Sequence, residues 1–142
     1  PHRLRPVAAP FGTILDDTYN ANPASTAGAL HTLAQFGEAG AHRVFVFGEM
    51  LDLGPHADRH HRDVLDLALR LGIDAILPVG ERAVTACRAR RSPSVRIVDR
   101  DELGPTLRGL CDKPGNHLVL VKGSHALGLE RLVGELADDQ EQ

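Results

Sequence analysis

Short apolar runs alternate with amphipathic stretches from one end of the chain to the other. The apolar runs predict strands at 13–15, 43–47, 75–79, 95–98 and 117–121, and the amphipathic stretches predict helices at 23–36, 57–71, 82–90, 103–110 and 127–137. Such alternation is typical of repeated βα units around a mostly parallel sheet. We therefore predict an α/β, Rossmann-like fold with about five to six strands and helices on both faces of the sheet.

Two details favour this prediction. The run at 44–47 is apolar at every position, as expected of a central parallel strand that helices cover on both faces. Gly37 and Gly72 follow the first two predicted helices, where a left-handed residue commonly ends a helix.

The length of 142 residues, with 42% hydrophobic and 25% charged composition, fits one compact domain. The first ten residues include three prolines and predict a connector rather than a folded element, as in a piece of a longer protein. We predict an interdomain hinge or linker at 1–10, a domain at 11–137 and a frayed acidic tail at 138–142.

Charge and hydropathy restrict the partners that we expect. A net charge of -3 gives no general attraction for nucleic acid, and no apolar run approaches the roughly 20 residues of a membrane span. Cys87 and Cys111 lack the spacing of a metal or redox motif, which favours two free thiols in a reducing compartment. We expect a cytoplasmic domain that binds neither nucleic acid nor membrane.

The polar segment from Asp16 to Pro23 joins the first predicted strand to the first predicted helix. Asn22 suits the N-cap and Pro23 the first helical position, while a helix N-terminus favours a phosphate or carboxylate. Asp16 and Asp17 alone could be turn formers. Together with Asn20, Asn22 and Ser25, the polar groups exceed what a helix cap needs. Tyr19 could flank a planar ligand or cover the core, and the sequence leaves both readings open.

Two other polar loops follow predicted strands, one at Gly48-Glu49-Met50 and one at Lys122-Gly123-Ser124. If the three strands are neighbours, the three loops form one concave wall at the carboxyl edge of the sheet. Lys122 suits an anionic group, although a solvated lysine beside a helix cap is the alternative. The phosphate-binding pattern GxxxxGK[ST] occurs nowhere in the chain, so we expect no complete ATPase site of its own.

His56, His60 and His61 come near the start of the second predicted helix. Their spacing is frequent by chance, and no carboxylate-rich or cysteine-rich partner segment accompanies them. We therefore predict no metal site. No catalytic triad can be specified from sequence spacing.

Four motifs, taken in order, resemble a known family. They are the segments 16–25 (DDTYNANPAS), 46–54 (VFGEMLDLG), 61–62 (HR) and 121–124 (VKGS). This set resembles the carboxyl-terminal domain of the Mur ligases over nearly the whole chain. Within that family it is most similar to the MurF type, which joins D-Ala-D-Ala to UDP-MurNAc-tripeptide in peptidoglycan synthesis. The Tyr-Asn-Ala-Asn-Pro corner is typical of that type, whereas sister ligases carry a DYAH-like or DGAH-like corner.

The resemblance implies one domain of a three-domain bacterial, cytoplasmic enzyme that serves the cell wall, cell shape and cell division. ATP and Mg²⁺ would be bound mainly by a central ATPase domain, the reaction would pass through an acyl phosphate, and this domain would be inactive alone. By motif position, the nucleotide-binding residues would be Arg3, Asp17, Asn20 and Asn22, and the substrate-binding residues would be Tyr19, Ser25, Lys122 and Ser124.

The resemblance identifies no certain catalytic residue and no metal ligand on this domain. The chain departs from the family pattern at two positions. His2 stands where glycine is usual at the hinge, and His125 stands where arginine usually follows Lys-Gly-Ser. Two alternatives remain open: a stand-alone flavodoxin-like binding module, or the same domain of a folylpolyglutamate or cyanophycin type of ligase.

Overall fold

The computed structural model describes residues 3–113 and 115–138 as a sheet with helices on both faces. The strands of this part of the chain are β1 (Arg5–Ala9), β2 (Gly12–Asp17), β3 (His42–Gly48), β4 (Ala75–Val79) and β5 (His117–Lys122). The helices are α1 (Pro23–Gln35), α2 (Ala57–Arg70), α3 (Glu81–Arg90), α4 (Leu103–Leu110) and α5 (Glu130–Asp138), and short 3₁₀ turns cover Gly54–His56, Arg100–Glu102 and His125–Leu127.

The strand order is β1-β2-β5-β3-β4, with β1 antiparallel to β2 and the other pairs parallel. This arrangement confirms the predicted mostly parallel α/β sheet. The five predicted helices and four of the five predicted strands are present, with ends within three residues of the predicted ones. The central strand β5 lies between β2 and β3, and every one of its residues is buried.

Side chains that alternate along the strands build two separate cores. On one face, Phe45, Leu118 and Leu120 pack with α1, α2 and α3. On the other face, Val44 and Val119 pack with α4 and α5. Both faces of the central strands are therefore covered, which explains why the sequence of β3 is apolar at successive positions.

The ends of α1 and α2 follow from their sequence. Asn22 accepts a hydrogen bond from the Ser25 amide, and the Ser25 hydroxyl accepts one from the Asn22 amide, so the two residues form a capping box. Gly37 and Gly72, with φ of 74° each, take the left-handed conformation predicted for them.

The predicted strand at 95–98 is wrong. Val95 forms a single parallel bridge with Ile76, whose amide donates to Ser94 and whose carbonyl accepts from Arg96. The next residue of β4 whose backbone groups point to the same side as those of Ile76 is Pro78. It has no amide hydrogen with which to continue the ladder. The segment therefore leaves the sheet after one bridge, although its sequence is as apolar as that of a strand.

Residues 5–9 form β1, so the prediction of no folded element in this stretch is also wrong. The strand lies at the edge of the sheet, where Pro6 and exposed polar positions are tolerated. Whether residues 1–10 act as an interdomain hinge stays a prediction, as do the domain limits 11–137. Residues 139–142 of the predicted tail lie outside the described residues.

Within the described ranges, no helix combines the length and the apolarity that crossing a membrane requires.

The loops after β3 and β5 cross at two glycines. A Cβ atom added at Gly48 would lie 2.6 Å from the Gly123 Cα and 2.6 Å from the Lys122 carbonyl oxygen. Real Cβ contacts are not that short, so only glycine allows the two loops to approach this closely.

Substitution of Gly48 tests this approach. We expect Gly48→Ala to lower the free energy of unfolding by about 1 to 3 kcal/mol, because the added methyl group overlaps backbone atoms that cannot rotate away. Gly134→Ala in α5 is the matched control: no atom lies within 4 Å of its Cβ position, and we expect a gain of about 0.5 to 1 kcal/mol. Urea unfolding measures both values, and equal stability of the two variants would contradict the crossing.

Candidate functional site

The three polar loops that the sequence singles out emerge side by side. Their strands, β2, β5 and β3, are neighbours, and Lys122 at the end of β5 pairs in register with Asp17 of β2 and Phe47 of β3. The expectation of a shared edge is therefore confirmed. The carboxyl edge of a parallel sheet is where open α/β folds bind ligands.

A cleft of about 510 Å³ opens at this edge, between the end of β2 and the first turns of α1. Seven of the eight predicted site residues line it: Arg3, Asp17, Tyr19, Asn20, Asn22, Ser25 and Lys122. Sequence reasoning missed Leu4, Gly28, Ala29 and Thr32, which line it as well. The last three share a face of α1 with Ser25 at helical spacing, a signal that could have identified them.

Asp17 and Lys122 form a buried ion pair at the base of the cleft. The Lys122 Nζ lies 2.9 Å from Asp17 Oδ2 and donates a 2.8 Å hydrogen bond to the Asn20 carbonyl. The two side chains are only 3% and 8% exposed. The alternative of a solvated lysine is thus excluded. Asp17 and Lys122, which the sequence predicts to bind ligands, already use part of their hydrogen-bonding capacity on each other and on the Asn20 carbonyl.

Asp16, unlike Asp17, does not line the cleft. Its Oδ1 accepts hydrogen bonds from the Thr18 amide and hydroxyl, and its Oδ2 lies 3.1 Å from Arg5 Nη2. The residue is fully buried. Asp16 therefore shapes the turn after β2 and fastens β1 to it.

The asparagines of the corner hold its backbone. Asn20 Oδ1 accepts from the Ala21 amide at 2.9 Å, and Asn22 and Ser25 complete the capping box of α1. These side chains lie on the wall of the cleft, but their described hydrogen bonds are internal. Their binding of nucleotide or substrate stays a prediction.

Arg3 and Tyr19 form the exposed rim of the cleft. The Arg3 guanidinium carbon lies 5.0 Å from the centre of the Tyr19 ring, and the centre of the His125 ring lies 6.3 Å from it. Tyr19 is 48% exposed. A cation over an exposed aromatic ring offers a surface for a planar or anionic group. His2, which stands where the family pattern has glycine, lies outside the described residues.

Ser124, the eighth predicted residue, does not line the cleft and is buried. Its hydroxyl donates to the Glu49 carbonyl at 3.0 Å and accepts from the Leu51 amide at 3.1 Å. Glu49 in turn accepts from the Arg82 amide at the start of α3 through Oε1, at 2.8 Å. Ser124 thus ties two loops together, and its contact with a substrate stays a prediction.

His61 has a structural role. Its Nδ1 donates to the Ala57 carbonyl at 2.7 Å, and its Nε2 accepts from the Met50 amide at 2.9 Å. The ring is fully buried and stacks on Phe47 at 5.8 Å between centroids. Burial lowers the pKa of His61, so the neutral form that these two hydrogen bonds require is favoured.

The structure separates the two cysteines. Cys87 belongs to the core beside α3, and Cys111 to the core beside α4. Both are free thiols, as predicted, and burial raises their pKa values to about 12 and about 11. The described residues contain one cluster of three metal-ligating side chains, His42, Cys111 and His117, which lies at the opposite edge of the sheet from the cleft.

The chain is similar to known proteins over most of its length. The family model described as Mur ligase, glutamate ligase domain, matches residues 2–125. The UDP-N-acetylmuramoyl-tripeptide–D-alanyl-D-alanine ligase of Escherichia coli strain K12 is 33% identical over 140 residues, which cover 98% of this chain and 30% of that enzyme. The enzyme of the same name from Treponema pallidum is 34% identical, over 89% of this chain and 30% of its own length.

Solved structures of similar fold also belong to ligases of this kind. A crystal structure of MurF from Acinetobacter baumannii superimposes with a TM-score of 0.84 and 30% sequence identity, over 96% of this chain and 30% of that one. The chain thus spans about 30% of the length of the curated relatives that it matches.

The buried ion pair can be tested by an isosteric change. We expect Asp17→Asn to lower the free energy of unfolding by about 3 to 5 kcal/mol, because it leaves the Lys122 charge buried without a counter-ion. The control is Asp66→Asn, which removes an ion pair with Arg90 at 3.2 Å whose side chains are 46% and 55% exposed. Such a pair contributes about 0 to 1 kcal/mol. Similar losses in both variants, by urea unfolding, would refute the role assigned to Asp17.

His61 should make stability depend on pH. Because its pKa is lowered in the folded state, the unfolded chain binds the proton first as the pH falls below about 6.5. Its contribution is complete above that pH and decreases below it, toward the lowered pKa. We expect the loss of stability between pH 7.5 and 5.5 to be smaller in His61→Gln than in the exposed-site control His31→Gln. His42, whose pKa burial also lowers, acts equally in both variants. Identical pH profiles would contradict this account.

Proposed function

Since the chain belongs to the Mur ligase family, as a glutamate ligase domain, we propose that it is the carboxyl-terminal domain of a MurF-type ligase. That enzyme would join D-Ala-D-Ala to UDP-MurNAc-tripeptide and convert ATP to ADP and phosphate. The observation that carries the proposal is the corner at 19–23. Its Tyr-Asn-Ala-Asn-Pro sequence is the form typical of MurF, and Tyr19, Asn20 and Asn22 from it line the cleft at the carboxyl edge of the sheet.

The domain would supply one wall of an active site whose other wall belongs to a central ATPase domain. The chain matches only about 30% of the length of its relatives and contains no GxxxxGK[ST] segment. A domain of this kind binds and orients substrates but lacks the cradle for the reacting phosphates. We therefore propose that it is inactive alone.

The reaction has two steps. The terminal phosphoryl group of ATP passes to a carboxylate oxygen at the end of the tripeptide, which forms an acyl phosphate and ADP. The amine of D-Ala-D-Ala then attacks the acyl carbon, loses a proton and displaces phosphate. Closure of this domain would exclude water, which would otherwise hydrolyse the acyl phosphate, and would orient the amine toward the acyl carbon.

The exposed rim is the part of this domain best placed to contact ligands. Arg3 and Tyr19 would contact the nucleotide through the guanidinium charge and the ring face, which suit a phosphate and a planar base. The second oxygen of Asp17 would accept from a ribose hydroxyl, while Lys122 would act on an anion from beneath the corner.

Mg²⁺ fits the central domain better than this one. The ion prefers carboxylate oxygens, phosphates and water. Among the described residues that line the cleft, Asp17 is the one carboxylate, and it is paired with Lys122. We therefore assign Mg²⁺ and most of the ATP contacts to the central domain. The whole enzyme would act in the bacterial cytoplasm, in cell-wall synthesis, and so in cell shape and division.

Kinetics of the full-length ligase would test the rim. We expect Tyr19→Ala to lower kcat/KM for ADP release by about 5- to 30-fold, as the loss of roughly 1 to 2 kcal/mol from a ring contact would. Tyr19→Phe should retain most of the activity, because it keeps the ring. Ile97→Ala is the control, since Ile97 is 39% exposed but lies outside the cleft. Equal activity of Tyr19→Ala and Ile97→Ala would contradict the assignment of the rim to ligand binding.

The choice of acceptor and of chain length distinguishes the proposal from its alternatives. D-Ala-D-Ala should support turnover in the full-length enzyme and glutamate should not; the reverse result would identify a folylpolyglutamate or cyanophycin type of ligase. The 142-residue chain should show no turnover with ATP and the substrates. Turnover by this chain alone would overturn the division of labour between the domains.

A further inference from the structure

Two histidines and a cysteine meet at the amino-terminal edge of the sheet, on the side opposite to the cleft. His42 begins β3 and His117 begins β5, and the two residues are directly paired in the parallel register. Cys111 immediately follows α4. One donor atom from each of the three residues lies within 4.8 Å of the other two.

The separation of the two histidine nitrogens is close to that of two ligands around a metal ion. The Nδ1 atoms of His42 and His117 are 2.9 Å apart, and the two rings meet at 89°. Around a tetrahedral zinc ion, with Zn–N of about 2.0 Å and Zn–S of about 2.3 Å, the ligand atoms lie about 3.3 to 3.5 Å apart. The two histidine nitrogens would therefore have to separate by about 0.4 Å, and a sulfur at the 4.8 Å limit would have to approach them by about 1.3 Å, to hold the ion.

The ring of His117 is already oriented as a metal ligand. Its Nε2 lies 2.7 Å from the Lys113 carbonyl, which can only accept, so Nε2 carries the proton. The Nδ1 atom that faces His42 is consequently free of hydrogen and offers its lone pair. A hydrogen bond from the distal nitrogen to a carbonyl is the usual second-shell support of a metal-bound histidine.

The charges around the cluster favour a cation. Cys111 lies at the carboxyl end of α4, where the helix dipole is negative. The negative charge of Asp112 interacts electrostatically with Cys111, and that of Asp74 interacts with His42. The Lys113 side chain, on the same loop, carries a positive charge that opposes this effect. The contact of Lys113 with His117 is made by its backbone carbonyl.

The cluster is reachable from solvent. His42 and His117 line a cleft of about 580 Å³, and Cys111 lines a neighbouring cleft of about 730 Å³. Asp112 and Lys113 lie on the walls of both clefts. An ion therefore has an entry path that does not require the sheet to open.

We propose that His42, Cys111 and His117 form a zinc-binding site. As the ion binds, the proton between the two Nδ1 atoms moves through water to Nε2 of His42, and the proton of the thiol is released to solvent, so that the ligands are two neutral imidazoles and one thiolate. Water completes the coordination at the fourth position. The ion fastens the connection between α4 and β5 to the start of β3, and the site is independent of the proposed ligase activity.

Cobalt(II) substitution tests the proposal directly. The untagged 142-residue chain is titrated with Co²⁺ and then with Zn²⁺. We expect one equivalent of Co²⁺ to give a thiolate-to-cobalt charge-transfer band together with intense four-coordinate visible bands. Zn²⁺ should remove both sets of bands. Absence of a charge-transfer band at saturating Co²⁺ would show that the three residues are only a hydrogen-bonded cluster, and would overturn the proposal.

Single substitutions assign the ligands. Cys111→Ser should abolish the charge-transfer band, and His42→Gln should weaken Zn²⁺ binding by at least about 10- to 100-fold in competition with a chromophoric chelator. His42 is the more informative histidine because it is only half-buried, so the variant keeps the core intact. Cys87→Ser and His31→Gln are the matched controls, and both should bind like the parent. Loss of the cobalt band in Cys87→Ser, or full affinity in His42→Gln, would contradict the assignment.

Thermal unfolding supplies a second readout. At a Zn²⁺ concentration of about 100 times the dissociation constant, the melting temperature should rise by several degrees, since the ion binds the folded chain. The rise should be absent in Cys111→Ser. A rise of equal size in that variant would show that Zn²⁺ acts elsewhere, and would overturn the proposed site.

Discussion

The candidate site depends on one buried ion pair, between Asp17 at the end of β2 and Lys122 at the end of β5. The two residues are register partners on adjacent parallel strands, so their side chains start close together. Burial of both charges is costly, and the cost is offset by their 2.9 Å contact and by the hydrogen bond from Lys122 to the Asn20 carbonyl. The same contacts hold the corner before α1 in place, and that corner forms one wall of the cleft.

The loops beside this pair are fastened in the same way, by short polar contacts and close backbone approach. Gly48 and Gly123 let two loops cross, Ser124 joins them through its hydroxyl, and His61 holds the Met50 amide from α2. Most of the polar groups at this edge therefore serve the structure of the edge itself. Such a preformed wall leaves Arg3 and Tyr19 as the groups that project from it toward a ligand.

The two edges of the sheet have different chemistry. The carboxyl edge carries the polar loops, and its character agrees with membership of the Mur ligase family. The amino edge carries His42, Cys111 and His117, whose side chains meet because two strands begin in register and α4 ends beside them. A metal at that edge would stabilise the domain without entering the cleft, since the full length of the central strands separates the two sites.

Much of this protein could be predicted from its sequence alone. Hydrophobic periodicity determines which segments are helices and central strands, because burial on one or both faces imposes a pattern that is local in the chain. Cap residues such as Asn22 and Gly72 are equally local signals. The motifs around Tyr19, Gly48 and Lys122 were sufficient to indicate the family and the edge of the sheet that carries the cleft.

The rest was decided by contacts between segments that are distant in sequence. The segment at 95–98 is as apolar as a strand, but Pro78 on its neighbour ends the pairing after Val95. The stretch that includes Arg5 reads as a connector, but it pairs with β2 as an edge strand. Whether Asp17 and Lys122 face a ligand or each other, and whether the distant His42 and His117 meet, depends on strand order and register. Hydrogen bonds and ion pairs form only between groups that the fold brings together, and no local pattern records which groups those are.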